Sequence, residues 1–243
     1  MIFSIIALLV AVLAGGVAAI SGFGIGSLLT PLLALRYGTK LAVAIVSVPH
    51  IIATATRLLY LREHLDRKVF LDFGILSAVG GLLGALLNSR ANSPALTIVF
   101  GCLLLLAGIS GLTGLLGKLK MGRRTAWIAG AFSGFFGGLV GNQGGIRSAA
   151  LLSFGMQKEA MVATATAVAL FVDGARLPVY FVVETHGIVK AWTIILIAIV
   201  GVLLGTFWGV NLLRKIPERL FPKLLSVLIL ALGIYMVVHG VRQ

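Results

Sequence analysis

Apolar stretches near the roughly 20 residues that a helix needs to cross a bilayer recur along this chain from one end to the other. They cover Ile2 to Ile20, Leu41 to Leu61, Phe70 to Leu87, Leu96 to Leu116, Ala126 to Val140, Val162 to Val183, Ala191 to Leu213 and Leu220 to Val238. A soluble core has no room for so many. Only 11% of the 243 residues are charged and the mean hydropathy is +1.10, whereas charged residues make up about a quarter of a soluble domain. The chain therefore reads as an all-α polytopic membrane protein with the lipid bilayer as its solvent. The first stretch lacks a basic leader and is followed by further spans, so it reads as a retained helix and not as a signal peptide.

The net charge of +13 implies no nucleic-acid partner here. Most of the Lys and Arg lie in short loops, where a cytoplasmic excess is what the positive-inside rule expects. Cys102 is the only cysteine, which leaves no disulfide framework and no thiolate metal cluster, and reads as a small apolar packer.

Self-comparison divides the chain in two. Gly24 to Gly38 is echoed by Gly141 to Gly155, an offset of 141 − 24 = 117, and each block follows a run rich in small residues, Ala14 to Ser21 and Ala131 to Gly138. Arg57-Leu58-Leu59-Tyr60 is answered by Arg176-Leu177-Pro178-Val179-Tyr180, and Gly80 to Gly84 by Gly201 to Gly205. The expected organisation is one transmembrane repeat over 1–117, a basic linker over 118–125 and a second repeat over 126–243. Many secondary transporters are built this way, with substrate held between the repeats near the midplane.

The echoed blocks are poor helix formers. Glycines crowd Gly22 to Gly26 and Gly137 to Gly145, and each costs a helix about 1 kcal/mol relative to Ala. A broken helix is expected in each repeat. Non-helical backbone at membrane depth survives only where protein covers it or it lines a wet cavity, so the breaks should face inward. A dinucleotide loop at Gly22-Phe23-Gly24-Ile25-Gly26 is excluded, because no strand precedes it and no acidic residue follows at the required distance.

Charge orients the chain only under one of two countings. With eight crossings, the 17 Lys and Arg outside the spans divide nine to eight. With each glycine-rich block crossing as a short broken span they divide twelve to five. The larger group is Arg62, Arg67, Lys68, Lys118, Lys120, Arg123, Arg124, Lys158, Arg214, Lys215, Arg219 and Lys223. Ten crossings are therefore expected, with that group cytoplasmic and both termini opposite. Five crossings per repeat also makes the repeats inverted.

Ionisable residues inside spans are costly and are candidates for function. Arg147 follows the Asn142-Gln143-Gly144-Gly145 break, where a restarting helix presents free N–H groups and the positive end of its dipole. Arg57 and Arg176 lie 33 and 35 residues after Gly24 and Gly141, one in each repeat. Gly24, Gly26, Asn142, Gln143, Gly144, Gly145, Arg147, Arg57 and Arg176 form the expected anion site. Against this stand interfacial snorkelling and a structural Asp173–Arg176 pair at i,i+3 spacing. His50 and Asp173 are candidates for proton coupling, with a packing histidine and that same pair as the structural alternatives. His64, His186 and His239 lie at span ends and carry no comparable signal.

The paired blocks, Gly24-Ile25-Gly26 through Pro31 to Gly38 and Ser133-Gly134-Phe135-Phe136-Gly137-Gly138 through Gly155, resemble the sulfite exporter TauE/SafE family of membrane permeases over essentially the whole chain. The resemblance implies a multi-pass protein of the bacterial inner membrane that moves small sulfur-containing anions or organic acids, such as sulfite or sulfonates. Ser148 stands where the first block has Pro31, so the two breaks are expected to differ in geometry.

A chain of this kind can be a transporter, a channel or a membrane-embedded enzyme. A secondary transporter working by alternating access is favoured over an anion channel, which would share the basic lining but need no coupling residue. No Gly-x-x-x-x-Gly-Lys-Ser/Thr loop is present, so no direct ATP drive and no cofactor are expected. An enzyme is not expected either, since seven Asp and Glu, four His and one Cys form no clustered catalytic or metal-binding set.

Overall fold

The computed structural model describes residues 2–114, 123–141, 144, 147, 150–151, 154, 156–213 and 221–242. Every regular element among them is helical. The helices are α1 (Ile2–Ser21), α2 (Ile25–Tyr37), α3 (Thr39–Leu61), α4 (Arg67–Arg90), α5 (Ser93–Thr113), α6 (Arg123–Val140), α7 (Lys158–Val183), α8 (Thr185–Lys190), α9 (Trp192–Leu213) and α10 (Phe221–Val241), with a 3-10 turn at Arg62–His64. Gly144, Arg147, Ala150 and Leu151, between α6 and α7, are also helical. Among the described residues, five stretches are long and apolar enough to cross a membrane, in α1, α3, α4, α5 and α7.

Local chemistry sets the boundaries. The Asp66 carboxylate accepts from the amides of Lys68 and Val69, both at 3.0 Å, and starts α4. Asn92 accepts from the Ala95 amide at 3.0 Å and starts α5. These side chains satisfy donors that a first turn leaves open. Gly22, Gly24 and Gly141 have φ of 79°, 132° and 74°, conformations that L side chains avoid. The chain thus breaks where glycine density predicts, though the breaks are narrower than expected. Gly137 and Gly138 lie inside regular α6, and Gly26 is already in the first turn of α2.

Close packing explains Gly138 and other glycines inside the helices. A Cβ at Gly80 or Gly84 of α4 would overlap the Ala131 or Phe135 carbonyl oxygen of α6, and one at Gly134 or Gly138 would overlap Ser77 or Gly81 of α4. On the far side, Gly205 of α9 would meet the Val12 carbonyl of α1, and Gly15 of α1 that of Val202. Small residues let helices approach this closely in a bilayer, where lipid removes the hydrophobic drive for association. The most extensive pairings are α4 with α6, α1 with α9 and α5 with α10.

Contacts between distant residues fix which ends lie together. The Phe3 and Tyr37 rings are 6.4 Å apart, the Lys40 ammonium donates to the Ser89 carbonyl at 2.8 Å and lies 3.7 Å from Glu184, and the Thr39 and Thr97 hydroxyls are 2.5 Å apart. At the other end the Asp66 amide donates to Thr164 at 3.2 Å. The outward faces carry exposed Leu83, Leu87, Leu106, Ile109, Phe132 and Val200, the apolar belt that lipid requires. The linker residues 118–122 lie outside the described residues.

Candidate functional site

The site is built where α3 and α7 cross the interior side by side. His50, Thr54 and Arg57 recur at i, i+4 and i+7 on α3, and Thr166, Asp173, Arg176 and Tyr180 recur at i, i+7, i+10 and i+14 on α7, so each set shares one face. All seven are buried. The faces meet in antiparallel register. His50 Nδ1 lies 2.6 Å from Asp173 Oδ2, and seven residues on along α3 the Arg57 Nε donates to Thr166 Oγ1 at 2.9 Å, seven residues back along α7.

Asp173 is shared between two helices. Its Oδ2 meets His50, while its Oδ1 accepts from Arg176 Nε at 3.0 Å and lies 2.7 Å from Nη2. Arg176 also donates through Nη1 to the Gly137 carbonyl, and the Tyr180 hydroxyl donates to the Gly138 carbonyl. Both are carbonyls of the last turn of α6, and that of Gly137 also accepts from the Gly141 amide at 3.0 Å. The predicted i,i+3 pair is thus present, and it also anchors the end of α6 to α7.

Arg57 and Arg147 differ. Both are at least 96% buried, at 4% and 1% exposure, yet Arg57 Nη1 and Arg147 Nε and Nη1 find no hydrogen-bond acceptor among the described residues. The buried hydroxyls of Thr30 and Thr54 are likewise unpartnered. Arg147 lies within electrostatic range of Asp173, Arg57, Arg176 and His50. Three buried cations therefore face one buried carboxylate. Such donors are rarely left unmet inside a protein, and guanidinium forks suit the oxygens of a small anion.

The two glycine breaks meet beside this cluster. A Cβ on Gly26 would overlap the Gly141 carbonyl oxygen, a Cβ on Gly141 would lie 3.4 Å from Thr30 Oγ1, and Gly144 lies against the Phe23 side chain. Gly24, Gly26 and Gly144 are thus brought together, while Asn142, Gln143 and Gly145 lie outside the described residues. No group of three or more His, Cys, Asp or Glu able to hold a metal occurs among the described residues.

A family model described as sulfite exporter TauE/SafE matches residues 7–236, nearly the whole chain and every residue of this cluster. The chain belongs to the TauE/SafE family. It is accordingly a membrane protein of a transporter family, and its apolar helices are the spans such a permease needs. Comparison with curated proteins and with solved structures gives no match.

Sequence reasoning missed Thr30, Thr54, Thr166 and Tyr180. For Thr54, Thr166 and Tyr180 the signal was present as hydroxyls repeating at helical spacing within apolar spans, on the same faces as His50, Arg57 and Asp173; Thr30 lies on α2, which carries none of those residues.

Proposed function

We propose that this TauE/SafE protein is a secondary transporter of the inner membrane that carries a small anion, such as sulfite, a sulfonate or another organic acid, by alternating access between two inverted repeats. The observation that carries the reading is the pair of buried arginines with open donors, Arg57 on α3 and Arg147 beyond the second break. One belongs to each repeat, so an anion bound to both bridges the two halves. Arg176 contributes charge but has committed its Nε, Nη1 and Nη2 to Asp173 and Gly137, which makes it a positioning residue for the site.

The pairing of helices supports the repeat. In the proposed division, the first helix of each half packs along the fourth span of the other (α1 with α9, α6 with α4), and the fifth packs on the fifth (α5 with α10). This reciprocity is what a twofold relation between halves produces. The shared ends support ten crossings, since α2 returns to the side where α1 begins, bringing Tyr37 to Phe3. His50 and Asp173, joined at 2.6 Å, are the proton-coupling groups of this reading, exchanging a proton as the anion loads and leaves.

Reconstitution tests it. Proteoliposomes containing the full chain should accumulate labelled sulfite or a small sulfonate against its gradient when a pH gradient is imposed. Equilibration without accumulation under any imposed gradient would replace the transporter with a channel.

A further inference from the structure

We propose that the groove between α1, α2 and α10 binds an anionic glycerophospholipid, with an acyl chain along its apolar floor and the headgroup phosphate on Arg36. The groove holds about 350 Å³, and its lining includes Val10 and Leu13 of α1, Leu28, Pro31 and Leu32 of α2, and Leu232 of α10. Leu13, Leu35 and Tyr235 at its edges are 45–49% exposed on the outer surface of the helices, so the groove opens sideways toward lipid and not into the anion site.

Arg36 gives the groove a charged end. It lies in the last turn of α2, four residues after Leu32 and eight after Leu28, on the face that lines the groove and about 12 Å along the helix from Leu28 at 1.5 Å per residue. Its guanidinium carbon is 5.1 Å from the centroid of the Phe3 ring and 5.8 Å from that of Tyr37. Phe3 precedes Val10 by seven residues and so shares the groove-facing side of α1. Rings and a cation at this level mark the membrane–water boundary.

The Arg36 charge has no protein counter-ion among the described residues. Glu184, the acidic residue at this end of the bundle, is engaged by Lys40 at 3.7 Å. Stacking on rings occupies only the faces of a guanidinium and leaves its in-plane N–H donors for a phosphate oxygen. A net anionic lipid supplies the missing charge, whereas a zwitterionic lipid brings a competing ammonium of its own.

Native mass spectrometry of the full chain in neutral detergent, with equal amounts of phosphatidylglycerol and phosphatidylcholine, tests the assignment. Wild type should retain phosphatidylglycerol over phosphatidylcholine by about fivefold, the selectivity one arginine confers near an anionic surface. Arg36→Gln should abolish that preference and Arg36→Lys should keep most of it. Leu32→Trp, which fills the groove, should lower retention of both lipids. If it does not fold, Leu35→Trp at the exposed edge makes the same test. Equal retention of both lipids by wild type, or an unchanged preference in Arg36→Gln, overturns the proposal. So does a dimer that Leu32→Trp dissociates with lipid retention unaltered, because a second copy then covers the groove.

Discussion

Asp173 Oδ2 sits 2.6 Å from His50 Nδ1 while its other oxygen holds Arg176 at 2.7 Å, so one carboxylate joins a titratable side chain on α3 to the cation that fastens the end of α6. Removing the carboxylate leaves Arg176 buried without a counter-charge. Asp173→Asn should therefore destabilise the protein by about 3–5 kcal/mol, the cost of breaking one side of a buried pair. Thermal unfolding in detergent measures it, and a variant as stable as wild type would mean that Arg176 is neutralised elsewhere.

His50→Gln should be milder for stability, because a neutral amide still hydrogen-bonds Asp173. Its effect should fall on coupling. Uptake by wild-type proteoliposomes should respond to an imposed pH gradient, and uptake by His50→Gln should not. An undiminished response in the variant would move proton coupling away from this pair.

Arg147 separates binding from stability. Its Nε and Nη1 find no acceptor among the described residues, so Arg147→Ala should melt no lower than wild type while transport falls by about tenfold or more, the weight of one charge-assisted hydrogen bond. Arg147→Lys should lose less, because it keeps the charge without the fork. Arg147→Glu should be worst. Wild-type rate and apparent affinity in Arg147→Ala would remove Arg147 from the site.

The α4–α6 seam tolerates no added methyl. Gly84→Ala, which pushes a Cβ into the Phe135 carbonyl, should cost roughly 1–3 kcal/mol of stability, as overpacking does. Gly174→Ala, with nothing within 4 Å of the new carbon, should be neutral or stabilising by up to about 1 kcal/mol from helix propensity. Equal melting temperatures for the two variants would contradict the close approach of α4 and α6.

Orientation is tested with single cysteines. In an otherwise cysteine-free chain, residues introduced at 62–68 or 118–124 should react with a membrane-impermeant thiol reagent only from the cytoplasm. Residues introduced at Arg90 or Lys190 should react only from the opposite side. Any reversal overturns the topology proposed from the charge distribution.

The spans were legible because an apolar run of helical length has few other uses. The break before α2 was legible too, since Gly22 and Gly24 adopt backbone angles other residues avoid. Glycine density overstated the second break. Inside regular α6, Gly138 admits the backbone of α4, and the Gly137 and Gly138 carbonyls accept from Arg176 and Tyr180. Composition does not distinguish a glycine that bends the chain from one that admits a neighbour. The arginines were found as buried charges, but which donors stay open is a property of partners more than a hundred residues away, such as Thr166 for Arg57. No local pattern encodes that.

The two glycine breaks are in backbone contact where Gly26 meets the Gly141 carbonyl. Main chain touches main chain there, with no side chain between that a rotamer change could swing aside. Under the proposed transport cycle, this point opens only if the backbone segments at Gly26 and Gly141 move apart as units, a motion of main chain and not of side chains.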